Sequence, residues 1–328
     1  MLMSWTLRIG LVPALALLAL AALAAGSPWL SPGQLLACLD GSGPPWLSTL
    51  VFQIRLPRLC AALVVGSALG CAGALLQALA RNRLASPDLL GVNDGALLAL
   101  AVTLVVSPAG LVGPWWCALI GALTTALFTL LAAGGVGTQG YRVLVVGLGV
   151  ASLLRAGFDI AMATLPIFHA GGMYAFSVGS LTGRTWPLLT IAALVLGLLL
   201  AATFPLTRSL TLLGLHDDSI RSLGVRLEHL RLAILLLAAA LAGLAVSVSG
   251  PVGFVAIAAP IFARRLSVDG SAPFWSAAVI GAALVIAADL LGRVLAPPVE
   301  IPAGVVTGLL GGPFLLWLLL RPSPYGVS

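Results

Sequence analysis

The residues of this 328-residue chain with the widest chemical range are few and scattered. His169, His216 and His229 lie in different polar stretches, and neither HExxH spacing nor a Cys/His/Asp cluster gathers them into a metal or nucleophile site. Cys38, Cys60, Cys71 and Cys117 show no CxxC spacing and lie mostly in or beside apolar runs, where a thiol acts as a small hydrophobe. All 16 basic residues are arginine, which excludes a P-loop lysine, a Schiff-base lysine and a cofactor-bearing lysine. Any ATP this protein uses must therefore be hydrolysed by another chain.

The densest polar stretch is LGLHDDSIRSLGVRLEHLR at 213–231, with six charged residues in a chain that is only 8% charged. Asp217, Asp218 and Ser219 suit the cap and first turn of a short helix over 218–223, which Gly224 can end in the left-handed conformation. The segment reads either as a solvated loop or as a partner contact. In the second case Ile220 and Leu223, three apart, form an apolar knob for a partner's groove. A second polar feature lies inside an apolar run: Arg155, with Asp159 one turn on, as an i,i+4 pair or as a cation facing a polar path.

These residues must be positioned by a membrane fold. The chain is 60% hydrophobic and 8% charged, against roughly 45–50% apolar and roughly 25% charged in soluble domains. Its apolar runs predict ten helices, near 9–25, 59–80, 94–107, 113–133, 143–165, 187–205, 231–249, 251–263, 274–292 and 304–320, most of them able to cross the roughly 30 Å hydrocarbon layer. The third and eighth are short, and adjacent Gly91, Gly95, Gly250 and Pro251 suggest broken or tilted segments. The first run ends in AALAAGS, so a cleaved leader is an alternative reading of it. With the N-terminus inside, Arg55, Arg58, Arg184 and Arg293 fall outside, Arg155 falls within a span, and the other eleven arginines fall inside. That bias fits the positive-inside rule and places both termini and the 213–231 stretch in the cytoplasm.

Here the sequence resembles a known family. GLHDDSIRSLGV at 214–225 is similar to the cytoplasmic coupling region of the FecCD family, the permeases of ABC importers for iron-siderophores, haem and cobalamin. The resemblance continues through IRLPRLCAALVVGSALGCAGALLQALARNRLASPDLLGV at 54–92, GPVGFVAIAAPIFARRL at 250–266 and ADLLGRVLAPPVEIPAGVVTGLLGGPFLLWLL at 288–319. SVGSLTGRTWP at 177–187 looks closest to catecholate siderophore permeases. Two positions depart from the family pattern: Ile261 stands where a histidine is usual after Pro260, and Arg83 follows Asn82 where a proline is usual.

The resemblance implies an all-α, ten-span type II ABC importer permease in a bacterial inner membrane, with residues 1–328 forming one domain and a coupling region at about 208–230. It implies a second permease subunit, identical or paralogous, two cytoplasmic ATPase subunits that carry ATP and Mg, and a periplasmic binding protein. No cofactor is expected in this chain. The implied cargo is a ferric siderophore, with cobalamin or haem as the alternative. By the same resemblance Gly214, His216, Asp217, Asp218, Arg221, Leu223 and Gly224 would contact the ATPase. Arg55, Arg58 and Arg293 would receive acidic residues of the binding protein, the plainer reading being interfacial snorkelling. Asn82, Leu84, Gln139, Gly140 and Tyr141 would lie at the cytoplasmic gate, and Arg155 would face the path. A proton-coupled secondary transporter is a less favoured reading, since only Asp159 and Asp289 approach mid-membrane acids, and a membrane-embedded enzyme lacks a clustered polar site.

Overall fold

The structure is a computed structural model that describes residues 2–107, 112–135, 140–214, 217–222, 224–266, 274–297 and 299–320. These residues form helices and connecting turns, with no strand among them. In chain order the helices are α1 (Leu2–Ala24), α2 (Pro32–Leu39), α3 (Pro45–Thr49), α4 (Leu56–Leu79), α5 (Val92–Val106), α6 (Trp115–Ala132), α7 (Gly140–Thr164) and α8 (Ile167–Ser177). They continue as α9 (Trp186–Thr203), α10 (Thr207–Leu212), α11 (Asp217–Ser222), α12 (Leu227–Ser249), α13 (Val255–Arg265), α14 (Phe274–Val294) and α15 (Ala303–Leu320). Each of the ten apolar runs read from the sequence corresponds to one of these helices. Among the described residues six stretches are long and apolar enough to cross a membrane: Pro45–Leu79, Trp115–Ala132, Val145–Thr164, Trp186–Leu206, Leu227–Ser249 and Phe274–Val294. Gly10–Ala24, Val92–Val106 and Ala303–Leu318 are apolar but shorter. The chain is a multi-pass membrane protein.

Helix α4 is the hub, and its glycines explain why. Small residues let helix backbones approach closely in a setting where burial of apolar surface drives little association. A Cβ added to Gly70 would lie 2.1 Å from the Ala277 carbonyl oxygen of α14, and one added to Gly73 would lie 1.8 Å from that of Ala256 in α13. A larger side chain at either position would push two helices apart. Helix α12 also packs on α4 and carries the contact across to α5 and α6, while α7 packs on α5. The spans of α4 and α12 are 83% and 78% buried, whereas those of α7 and α9 are only 22% and 17% buried.

Contacts at the helix ends sort them into two sets. At one end Trp186 of α9 donates to the Phe52 carbonyl just before α4, and the Gly304 amide of α15 donates to Gly179. At the other, Arg264 of α13 donates to Gln77 of α4, and Thr129 of α6 donates to the Leu90 carbonyl ahead of α5. Both sets are consistent with successive long helices running in alternating directions.

Helices α2, α3, α8 and α10 are absent from the sequence expectations. Helix α2 is nucleated by Ser31, whose hydroxyl accepts from the Gln34 amide while Gln34 accepts from the Ser31 amide, a capping box. Helix α8 forms despite adjacent glycines, which weaken helices by roughly 1 kcal/mol each; buried Met173 and Phe176 tie it to the core instead.

Candidate functional site

Two polar clusters occupy opposite ends of α4, and each gathers residues that are distant in sequence. The first cluster, named outer and its counterpart inner only after the topology expected from the arginine bias, surrounds the start of α4, which Pro45–Leu79 enters through a π-helical turn at Leu50–Arg55. Arg55 Nη1 donates to the carbonyls of Leu23 at 2.7 Å and Ala24 at 3.0 Å, and its Nη2 donates to Pro28. Arg293, at the end of α14, donates to Ala22 at 3.0 Å and Ala25 at 3.2 Å. The last carbonyls of a helix lack intrahelical partners and carry its negative dipole end, so two guanidinium groups here cap α1.

Arg58 completes the cluster. Its Nε donates to Asp289 Oδ1 at 2.8 Å and its Nη1 to Glu300 Oε2 at 2.5 Å. Arg293 Nε lies 3.2 Å from Asp289 Oδ2 but is not aligned to hydrogen-bond it, so that contact is Coulombic. Asp289 thus holds two cations in a buried place, while Glu300 is half exposed. The expectation of three charges presented at the surface needs correction: Arg55 and Arg58 are 5% and 7% exposed, and all three arginines already have partners within the chain. The physical reason is the set of carbonyls at the end of α1 that lack intrahelical partners, together with the two carboxylates, which offer acceptors that an arginine in an apolar setting cannot leave unused.

The inner cluster centres on Asp217, the first residue of α11. Arg231 Nη2 donates to both of its oxygens, at 3.0 and 2.9 Å. Arg81 Nη2, just past the end of α4, donates to Oδ1 at 2.9 Å while its Nε donates to the Leu213 carbonyl at 2.6 Å. Burial pushes this carboxyl up, but the hydrogen bonds and charges of Arg231 and Arg81 outweigh it and hold it below the ordinary carboxylate range. The expected short helix forms one residue earlier than predicted, and Gly224 follows it with φ of 77°. Gly214 is exposed, and Asp218 and Arg221 lie on α11. His216 and Leu223 lie outside the described residues. Of the expected apolar knob, Ile220 is fully buried in the main core and so plugs α11 into its own chain.

Of the other expected positions, Asn82 Oδ1 accepts from the Leu84 amide at 2.9 Å in a turn after α4, and Gly140 and Tyr141 open α7. Gln139 lies outside the described residues. The Arg155 and Asp159 pair forms along α7 at 3.5 Å, with the guanidinium 5.2 Å from the Phe158 ring centre and both side chains substantially exposed. Asp94 of α5 lies in the field of both. Ile261 is buried, which its apolar side chain allows without a polar partner, and Arg83 is exposed. Sequence reasoning missed the partners of the named residues: Arg81 and Arg231 for Asp217, and Asp289 and Glu300 for Arg58.

The chain is 37% identical over 304 residues to the ferric enterobactin transport system permease protein FepG of Escherichia coli (strain K12), covering 92% of this chain and 91% of that protein. It is 38% identical over 304 residues to the achromobactin transport system permease protein CbrC of Dickeya dadantii (strain 3937), covering 92% and 87%. Its fold is similar to a solved inward-facing conformation described as that of a metal-chelate type ABC transporter, with a TM-score of 0.83 and 24% identity over 95% of this chain and 97% of that one. The model of the FecCD transport family matches residues 14–321, nearly the whole length that carries both clusters, and the chain belongs to that family.

Proposed function

We propose that this protein is the membrane permease subunit of an ABC importer for a ferric siderophore, set in a bacterial inner membrane with both termini in the cytoplasm. The reading is carried by the family match over residues 14–321 in a chain with no lysine for an ATP-binding loop. A second permease subunit, cytoplasmic ATPases that carry ATP and Mg, and a binding protein complete the machine. All ten apolar helices then serve as spans, α5 and α13 being sheltered by their neighbours.

The inner face, with α11 and its flanks, contacts the ATPase. The outer face receives the binding protein, and Arg55, Arg58 and Arg293 brace that face from beneath. The exposed Arg155 and Asp159 pair is costly against lipid, which supports a second subunit or an aqueous path along α7. Asn82, Leu84, Gln139, Gly140 and Tyr141 would form the inner mouth of that path.

The test is reconstitution with candidate ATPase and binding-protein partners, following uptake of labelled ferric siderophore, cobalamin and haem. ATP-dependent uptake of the siderophore alone is expected. Cobalamin or haem uptake would reassign the cargo within the family, and uptake that collapses with the proton gradient while ATP persists would overturn the ATP-driven reading.

A further inference from the structure

We infer that Arg81 and Arg231 are positioning residues, and that through Asp217 they pin α11 to the hub helices α4 and α12 so that displacement of α11 reaches both. The inference rests on reading α11 as the contact for a partner ATPase. A six-residue helix has little stability of its own, so it can act as a lever only where its own chain holds it. Two attachments do so. Ile220 is fully buried on one side, and the Asp217 carboxylate is held by two arginines on another.

The two arginines come from different elements. Arg231 lies near the start of α12, and Arg81 follows the end of α4, so one carboxylate joins the lever to both. Arg81 also grips the loop on the near side of α11 through the Leu213 carbonyl. Its backbone is in the left-handed region at φ of 49°, a conformation that costs a non-glycine residue energy and persists where surrounding contacts enforce it. The destinations matter, because α4 and α12 pack against each other and are the two most buried spans. Motion delivered there moves the packed core, whereas motion delivered to α7 or α9 would move a loosely held helix.

The experiment uses the complete transporter in lipid vesicles and measures ATP hydrolysed per substrate imported. Asp217→Asn keeps the side-chain shape and removes the charge. Loss of a partly exposed ion-pair network is expected to raise that ratio about fivefold in Asp217→Asn, and about twofold in Arg81→Gln or Arg231→Gln alone. The double arginine variant should match Asp217→Asn, because residues of one network do not act additively. Asp217→Glu should restore most of the coupling.

A role confined to folding would lower the yield of complex and leave the ratio unchanged in what assembles. An unchanged ratio in Asp217→Asn and in the double variant overturns the pin. Where Asp217→Asn fails to assemble, the single arginine variants each retain half of the pin, and an unchanged ratio in both overturns it equally. Absence of ATP-driven uptake by the unmodified complex overturns the functional reading and the pin with it, whereas normal coupling in every variant overturns the pin alone.

Discussion

The two ends of α4 solve the same electrostatic problem in opposite ways. At the outer end, Asp289 sits buried between Arg58 and Arg293, and the guanidinium groups of Arg55 and Arg293 are spent on α1 carbonyls. At the inner end, Asp217 sits between Arg81 and Arg231, yet its side chain is 37% exposed and its helix is six residues long. A buried network is expensive to open because each ion would be left unpaired in a medium of low polarity. An exposed one opens cheaply because water replaces the lost partner. The outer end is therefore built as a fixed joint, and the inner end as one that can shift without unfolding the molecule.

The largest expected effect tests the fixed joint. Asp289→Ala removes the only carboxylate shared by Arg58 and Arg293 among the described residues and leaves two neighbouring buried cations, which should cost about 4 kcal/mol. Denaturant unfolding in detergent micelles measures it. Arg231→Gln in the same assay should cost about 0.5 kcal/mol, since Asp217 keeps Arg81 and gains water. Equal losses at the two ends would erase the distinction between them.

A smaller effect sharpens the outer end itself. Glu300 is half exposed, and Arg58 retains Asp289 without it, so Glu300→Gln should cost about 1 kcal/mol or less in the same unfolding assay. A loss as large as that of Asp289→Ala would mean that the buried network extends outward through Glu300, and that the outer surface is less accessible to a partner than its exposure indicates.

Much of this was legible in the sequence. Apolar runs located the long helices because a membrane span leaves a long uniform signal. Asp217 to Gly224 were readable because capping residues and a terminal glycine act locally. The missed features share a different cause. Helix α8 contains Gly171 and Gly172 and is held by Met173 and Phe176, a tertiary effect without a local pattern. The partners of Asp217 lie 136 residues before it and 14 after it, and those of Arg58 lie 231 and 242 residues away. Residue type shows that a charge needs a partner, but only the packing of α4 against α12 and α14 selects which one. Ile220 shows the same limit: three-residue spacing from Leu223 defined a face, and the fold decided that Ile220 points inward.

The last comparison concerns protons at the inner end, where two carboxylates differ in sign. Asp217 is held below the ordinary carboxylate range, so its contribution is complete above the unfolded value and is lost as pH falls through the lower folded one. Asp88, in the turn between α4 and α5, is pushed up to about 6 by burial and the charge of Asp94, against the opposing hydrogen bond from Asn93. The folded chain therefore holds the Asp88 proton more tightly than the unfolded chain does, and stability from this group falls as pH rises from 3.8 to about 6. Comparing Asp217→Asn and Asp88→Asn with the unmodified protein across pH 3 to 7 separates them. The Asp217 substitution should cost most near neutrality, whereas Asp88→Asn should gain stability relative to the parent as pH rises through about 6. Parallel profiles for the two variants would show that Asp88, like Asp217, is held ionised in the folded state, and that burial does not govern it.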